Sequence, residues 1–419
     1  MSSEIEGSAN HNPPPGEFQR NWKLIIACAA GCGFCMSAIS QHSIGPFVKP
    51  LSEDMNWTRT QVQSALLLSQ LAAATGVICA GILISRFPLR SIAIAGLTGT
   101  VIGLLLASQA KSLPFYYLAY VIAAFVGAGA GNIAWSRAIT GSFDTHRGLA
   151  LAIALSGTGI SGIALPSILV WVISEYGWRT GYVALAAFPA LISLPLVLFL
   201  FWPERSHGAG AKALAANSLS NKELFRSYRF WVLLMSVVCV YFAVTGVLSN
   251  LIPALTDGGF SAANAAIAQG SLAAAILAGR LLVGLLVDRF WAPAVGAIFL
   301  TPPAIGCLIL MSDPSLIAAI CAAAMIGMAA GAELDLLALL ISRYFGLRPF
   351  ARIFSYMSAM ISVGGGVGPL LFSWIREFTG SYQASFTMTA GLFLLGGPLL
   401  MTLGRYPQLA ENEAKAAAA

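Results

Sequence analysis

Charge is what this chain has least of. Lys and Arg number 23 and Asp and Glu 17 in 419 residues, 10% in all, while 58% of the residues are hydrophobic. Soluble domains carry about 25% charged residues, so a water-soluble fold is excluded and an integral membrane protein is implied. Cysteine is missing from the loops: Cys28, Cys32, Cys35, Cys79, Cys239, Cys307 and Cys321 all fall in apolar stretches, which leaves no disulfide framework to expect. The polar segment Met1 to Asn21 lacks the pattern of a cleavable signal. No nucleophile–base set, phosphate loop or metal cluster is visible, so neither an enzyme nor a cofactor is expected. Acids are absent from the apolar stretches except for Glu333 and Asp335.

What is present is a series of twelve apolar stretches, at 23–46, 58–84, 91–110, 115–138, 148–174, 179–202, 229–254, 263–287, 294–311, 315–342, 351–376 and 382–404. Each is long enough to span a bilayer as a helix. The longest polar connection, 203–228, divides the chain into a six-helix half at 22–202 and another at 229–404, with tails at 1–21 and 405–419. The net charge of +6 is distributed unevenly: 17 basic residues fall on one side of this topology, five on the other, and Arg280 in between. That asymmetry places both termini in the cytoplasm of a cell (inner) membrane protein. It reports orientation and gives no reason to expect a nucleic-acid partner, nor is an obligate protein partner evident.

The halves repeat each other. Gly81-Ile-Leu-Ile-Ser-Arg86-Phe87 recurs as Gly284-Leu-Leu-Val-Asp-Arg289-Phe290, and the Gly162…Pro166 pair as Gly365…Pro369, both at an offset of 203; Ser136-Arg137 recurs as Ser342-Arg343 at 206. Matching loops fall on the same side, so the fold class is all-α, twelve transmembrane helices in two parallel six-helix repeats. Such transporters hold substrate between the halves. Gly157-Thr-Gly159-Ile-Ser-Gly162 spells a dinucleotide fingerprint, but it lies inside an apolar helix with no strand before it. Small residues permitting close helix contact are the better account.

Arg280 is the one basic residue far from any helix end. It precedes Asp288 by eight residues, about 12 Å of helix, which puts it near the middle of the layer. A charge there costs at least about 2.5–3.5 kcal/mol and usually serves a wet cavity. Its planar fork suits a carboxylate; the competing assignment is a structural pair with an acid on helix 10. Glu333 and Asp335 lie ten and eight residues before Arg343, at matching depths of about 15 and 12 Å. Two positions on a helix are about 200° apart, so only one of them can face the arginine directly. His42, about 10 Å inside Lys49, is the sole intramembrane histidine and titrates near neutral pH. Tyr120, Asn132, Asn250 and Tyr356 are polar groups that can complete a substrate site or bond neighbouring helices.

The loops after helices 2 and 8 resemble the signature of the major facilitator superfamily, Gly-x-Leu-x-Asp-Arg-x-Gly-x-Arg. Ser85 and Pro88 depart from it in the first copy, Arg86 and Arg90 keep it, and Asp288 and Arg289 keep it in the second. The resemblance implies a conformational latch at these residues, weaker in the N-terminal half. Within the superfamily the chain is similar to the monocarboxylate transporters and the related oxalate/formate exchangers. The similarity is carried by Phe47-Val-Lys-Pro-Leu-Ser-Glu-Asp-Met-Asn-Trp57-Thr-Arg-Thr, by Ala278-Gly-Arg280-Leu-Leu-Val-Gly284 and by Ser342-Arg-Tyr-Phe-Gly346. It implies that Arg280 binds a substrate carboxylate and that His42 stands where animal members have a proton-coupling lysine. The family's helix 8 acid, four residues before the arginine, is replaced by Ile276. The expectation is a transporter of a small organic anion of the monocarboxylate type, with a proton, by alternating access. Proton coupling or gating falls to His42, Glu333 or Asp335. Anion exchange is the alternative; a ligand sensor is less favoured because no signalling domain is apparent.

Overall fold

A computed structural model describes residues 17–84, 86–143, 147–202, 221–287, 289–346 and 349–407, without the side chains of 132, 133, 140, 147, 148, 221, 222 and 351. The N-terminal half comprises α1 (Glu17–Gly33), α2 (Met36–Met55), α3 (Arg59–Ile84), α4 (Leu89–Ser108), α5 (Leu113–Gly127), α6 (Asn132–Ser142), α7 (Arg147–Phe188) and α8 (Leu194–Leu200). The short α9 (Asn221–Arg226) leads into α10 (Tyr228–Asp257), α11 (Ala262–Val287), α12 (Ala292–Leu300), α13 (Pro303–Leu310), α14 (Leu316–Phe345), α15 (Phe350–Thr379) and α16 (Gln383–Leu399). Among the described residues there is no strand.

These elements make twelve crossings. The first is α1 with α2, bent by 42° between Gly33 and Met36, where the sequence pattern predicts one helix. Inside α2, Pro46 and Pro50 each remove a backbone donor. A 3₁₀ turn at Ala128–Ala130 joins α5 to α6 in the fourth crossing. The helical run Leu149–Leu200 holds 52 residues, about 78 Å at 1.5 Å each, far more than the ~30 Å hydrocarbon layer. Gly177, at φ +79° and ψ 166°, breaks it, a backbone region that only glycine enters readily. A Cβ placed on Gly181 would meet Ile173 Cγ1 at 2.7 Å, so the chain doubles back there and the run is two crossings. An even number of crossings leaves both described ends on one face of the bundle, here called the terminal face; the opposite one is the far face.

Between the halves, the main contacts run α3 to α15, α11 to α7 and α2 to α10. The first two exchange repeat-equivalent helices, which gives the pseudo-twofold expected of parallel repeats. Within the C-terminal half, α11 and α14 approach most closely. Added Cβ atoms on Gly327 and Gly331 would lie 2.1 Å from the carbonyl oxygens of Leu272 and Ile276, and one on Gly279 would lie 2.4 Å from that of Met328. Bare backbone on both helices lets them meet this closely, and Ser271 of α11 adds a hydrogen bond to the Ile320 carbonyl of α14 at 3.3 Å. Gly284, by contrast, has nothing within 4 Å of its added Cβ. Gly331→Ala is therefore expected to destabilise the purified protein by about 1–3 kcal/mol, read as a lower thermal midpoint, and Gly284→Ala to leave the midpoint unchanged. Equal midpoints for all three proteins would show that the α11–α14 contact tolerates the methyl group.

Candidate functional site

A cavity of about 1500 Å³ separates the halves. Its walls come from α2, α3, the α5–α6 junction and α7 on one side and from α11, α14 and α15 on the other. It reaches Ile84, Arg137 and Leu285 near the terminal face and ends inward at Ser40, Ser69 and Thr158. Arg137, Arg280 and Asp335 are its charged lining residues.

The glycine-lined contact described above fixes the pair at its centre. With α11 and α14 in backbone contact, Arg280 Nε comes within 3.2 Å of Asp335 Oδ2. The side chains remain 31% and 47% exposed to the cavity, so this is a wetted ion pair and not a sealed one. Nε makes no hydrogen bond in this geometry, and the terminal nitrogens of the guanidinium have no partner among the described residues. One edge of the fork is thus loosely held and the other is open.

Glu333 does not join them. Gly331 and Asp335, one turn apart, face α11, while Glu333 lies about half a turn round. It is buried, with Oε1 lacking a hydrogen-bond partner. Tyr241 of α10 is an ionisable neighbour within reach of its charge, and the Tyr241 hydroxyl accepts a hydrogen bond from Gln41 Nε2 at 3.1 Å. His42 is also buried, its Nδ1 unbonded. It sits against Gly162 of α7, in the slot left by the missing side chain and beside Ala273 of α11, and does not line the cavity.

The other sequence-derived candidates are placed elsewhere. Tyr120 and Tyr116 both share hydrogen bonds of 3.0 Å with Tyr182 inside the N-terminal half. Asn250 is fully engaged: it donates to the Gly246 and Pro369 carbonyls and accepts from Ser373 Oγ at 2.8 Å and Gln63 Nε2 at 3.3 Å. Tyr356 packs on Phe225 and Phe230, with ring centroids 5.5 and 6.5 Å away. None of these three lines the cavity, so the conformation brings only Arg280 of the expected substrate contacts to it. The side chain of Asn132 lies outside the described residues, as do Ser85 and the latch acid Asp288. Arg90 bonds within its own half, donating to the Leu198 carbonyl and lying 3.8 Å over the Trp202 ring. Arg86 and Arg289 are exposed on the terminal face.

Two further features carried no signal in the sequence. Gln70 projects into the cavity wall, its amide close to Gly365 of the other half. On the far face, Asp257 bridges Arg59 at 2.6 Å and Arg376 at 3.1 Å. Arg59 also donates to the Tyr382 hydroxyl, and Glu377 accepts from the Thr60 amide at 2.7 Å. Arg59 and Thr60 belong to α3, the other members to α10, α15 and the α15–α16 turn, so the cluster ties the halves together opposite the cavity mouth. Beneath it, Gln63 donates to the Ser249 carbonyl at 3.3 Å. Charges at span ends are ordinary in membrane helices, which is why nothing in the sequence singled these out.

A family model described as Major Facilitator Superfamily matches residues 30–351. The chain belongs to that superfamily. It is a multi-pass membrane transporter, and the curated proteins it is similar to include human Monocarboxylate transporter 11, 26% identical over 416 residues that cover 94% of this chain and 85% of the relative. The Oxalate:formate antiporter of Oxalobacter formigenes is 23% identical over 250 residues, 58% of each chain. Among solved structures, an inward-facing, occupied bacterial homolog of the human lysosomal transporter Spinster superposes with a TM-score of 0.67 at 19% identity, covering 95% of this chain and 98% of that one. The nucleoside transporter NupG gives 0.73 at 13% identity, over 92% and 100%. At those identities the two structures share its fold.

If the far-face cluster holds the halves together, Asp257→Ala should open that side. With Cys79 and Cys321, the exposed cysteines, replaced by serine, a thiol introduced as Gln63→Cys is expected to react with a hydrophilic maleimide several-fold faster when Asp257 is also changed. Identical rates with and without Asp257 would assign the closure to the apolar contacts alone.

Proposed function

We propose that this protein is a secondary active transporter that moves a small monocarboxylate together with a proton by alternating access. The observation that carries this reading is Arg280: a cation between the two halves, in a cavity open to one face, with an open guanidinium edge and one half-exposed acid beside it. An arriving carboxylate takes the fork bidentately, a charge-assisted contact stronger than a neutral hydrogen bond. It competes with Asp335 for the same guanidinium, and Asp335, released into the wet cavity, is then the group closest to a proton. Anion and proton together are neutral, which removes the electrostatic penalty of carrying either alone. The resemblance to the monocarboxylate transporters calls for an acid at position 276 of α11. Here Ile276 contributes its carbonyl to the contact with Gly331, and Asp335 of α14 supplies the carboxylate from the adjoining helix instead.

His42 and Glu333 have a different standing in this cycle. Both are sealed from the cavity while it opens to the terminal face, so protons reach them after the halves have moved. The positive-inside distribution makes the terminal face cytoplasmic, and the conformation described is then the one that exchanges substrate with the cell interior. The same site serves anion exchange, the reading supported by the likeness to the oxalate:formate antiporter. Counterflow in proteoliposomes separates the two, because exchange requires internal anion and ignores a pH gradient.

Charge-assisted hydrogen bonds contribute about 1.5–3 kcal/mol, and each 1.4 kcal/mol is tenfold. Arg280→Ala is therefore expected to lower carboxylate uptake by about 10- to 100-fold, with Arg280→Lys intermediate because it keeps the charge without the fork. Undiminished uptake by both variants in reconstituted vesicles would dispose of the anion site. His42→Gln should retain carboxylate binding while uptake loses its acceleration by an inward proton gradient; full pH dependence in that protein would take His42 out of the proton path.

A further inference from the structure

On the other side of His42 lies a second cavity, of about 490 Å³. Its walls come from α2 and α7 in the N-terminal half and from α10 and the start of α11 in the C-terminal half. Ser40 of α2 lines the central cavity and Gly45 lines this one, so the layer holding His42, Gly162 and Ala273 is the septum between them. The volume falls within the range of small-molecule sites, which are concave, mostly apolar and carry a few polar groups. Pro46, Pro50, Ile173, Ile252 and Pro253 make the apolar wall.

Four charged residues face this space: Lys49, Glu53, Asp54 and Arg179. Two of them neutralise each other, since Asp54 Oδ2 accepts from Arg179 at 3.0 Å and from Trp178 Nε1 at 2.8 Å. Lys49, half-buried, has no hydrogen-bond or ion-pair partner among the described residues. Glu53, one turn on and exposed, makes no ion pair with it. A partly desolvated ammonium beside apolar walls gains most from an anion that also buries hydrocarbon.

We infer that this far-face vestibule is a second binding site, for an amphipathic carboxylate whose headgroup pairs with Lys49 and whose apolar tail lies on the proline and isoleucine wall. The ligand touches both halves at once. It therefore binds the conformation with the far face closed and draws the equilibrium toward it, as any ligand with differential affinity must. Its role is inhibitory: carboxylate accumulating on the far side holds the carrier open to the opposite face. The site is separate from the Arg280 cavity and does not depend on which anion that cavity carries.

Hexanoate is a suitable probe, tested on the full chain in detergent. The rate at which an amine-reactive ester modifies Lys49 is followed by peptide mass spectrometry, with Lys111 as internal reference. At ten times its dissociation constant, a ligand covering Lys49 slows the reaction about tenfold. That protection is expected in the native sequence and in Arg280→Ala protein, and to strengthen in Glu53→Gln, which removes the neighbouring negative charge. Hexanoate should also raise the thermal midpoint of Arg280→Ala protein, and Lys49→Gln added to it should abolish the rise. Absence of Lys49 protection, or a thermal shift that survives Lys49→Gln in that background, overturns the proposal. Because Arg280 is already absent from the decisive arm, the result stands apart from the fate of the central site.

Discussion

The contact between α11 and α14 is the constraint from which the rest of the site follows. A guanidinium halfway along an apolar helix is tolerated only with water and a counter-charge at hand. Water comes from the cavity between the halves; the counter-charge comes from Asp335, and only because three glycines let two helices meet at backbone distance. Had α14 stood off by the width of an ordinary side chain, Asp335 would not reach Arg280 and the arginine would need an acid of its own helix. Ile276 occupies the position from which such an acid would act. Helix packing and ion chemistry are here one problem, solved by the small residues at Gly279, Gly327 and Gly331.

The structure closes on one face and opens on the other, and it does so with different materials. The far face is joined by charges and amides: Arg59, Asp257, Arg376 and Glu377 at the surface, and Gln63 and Asn250 beneath. The cavity is lined mainly by small and apolar residues, with Arg280 and Asp335 as its central charged pair. Polar closure of this kind is reversible, because every group that it pairs can be hydrated when the halves part. Apolar closure alone would leave two greasy surfaces facing water in the alternative conformation.

Much of this was legible in the sequence. Twelve spans, the repeat and the exceptional position of Arg280 follow from hydropathy, from coincident offsets and from the cost of a buried charge. The angular relation of Glu333 and Asp335 showed that they diverge, yet which one meets the arginine depends on the rotation of α14, which Gly331 sets through its contact with Ile276. Asn250 and Tyr120 show the opposite difficulty. A polar side chain in a spanning helix announces that it needs a partner without saying where, and here Ser373, Gln63 and Tyr182 meet the need away from the cavity. The bend before Met36 had no sequence signal stronger than the two glycines Gly31 and Gly33.

Arg280 and Asp335 both belong to the C-terminal half. A rigid rocking motion of one half against the other carries them as a unit, with no need to break the pair. Their charges cancel, so the unloaded carrier moves no net charge from this site through the transmembrane field, in which each elementary charge would otherwise feel about 2.3 kcal/mol per 100 mV. Placing both members on one rigid body makes the return of the empty carrier, as far as this pair is concerned, indifferent to voltage.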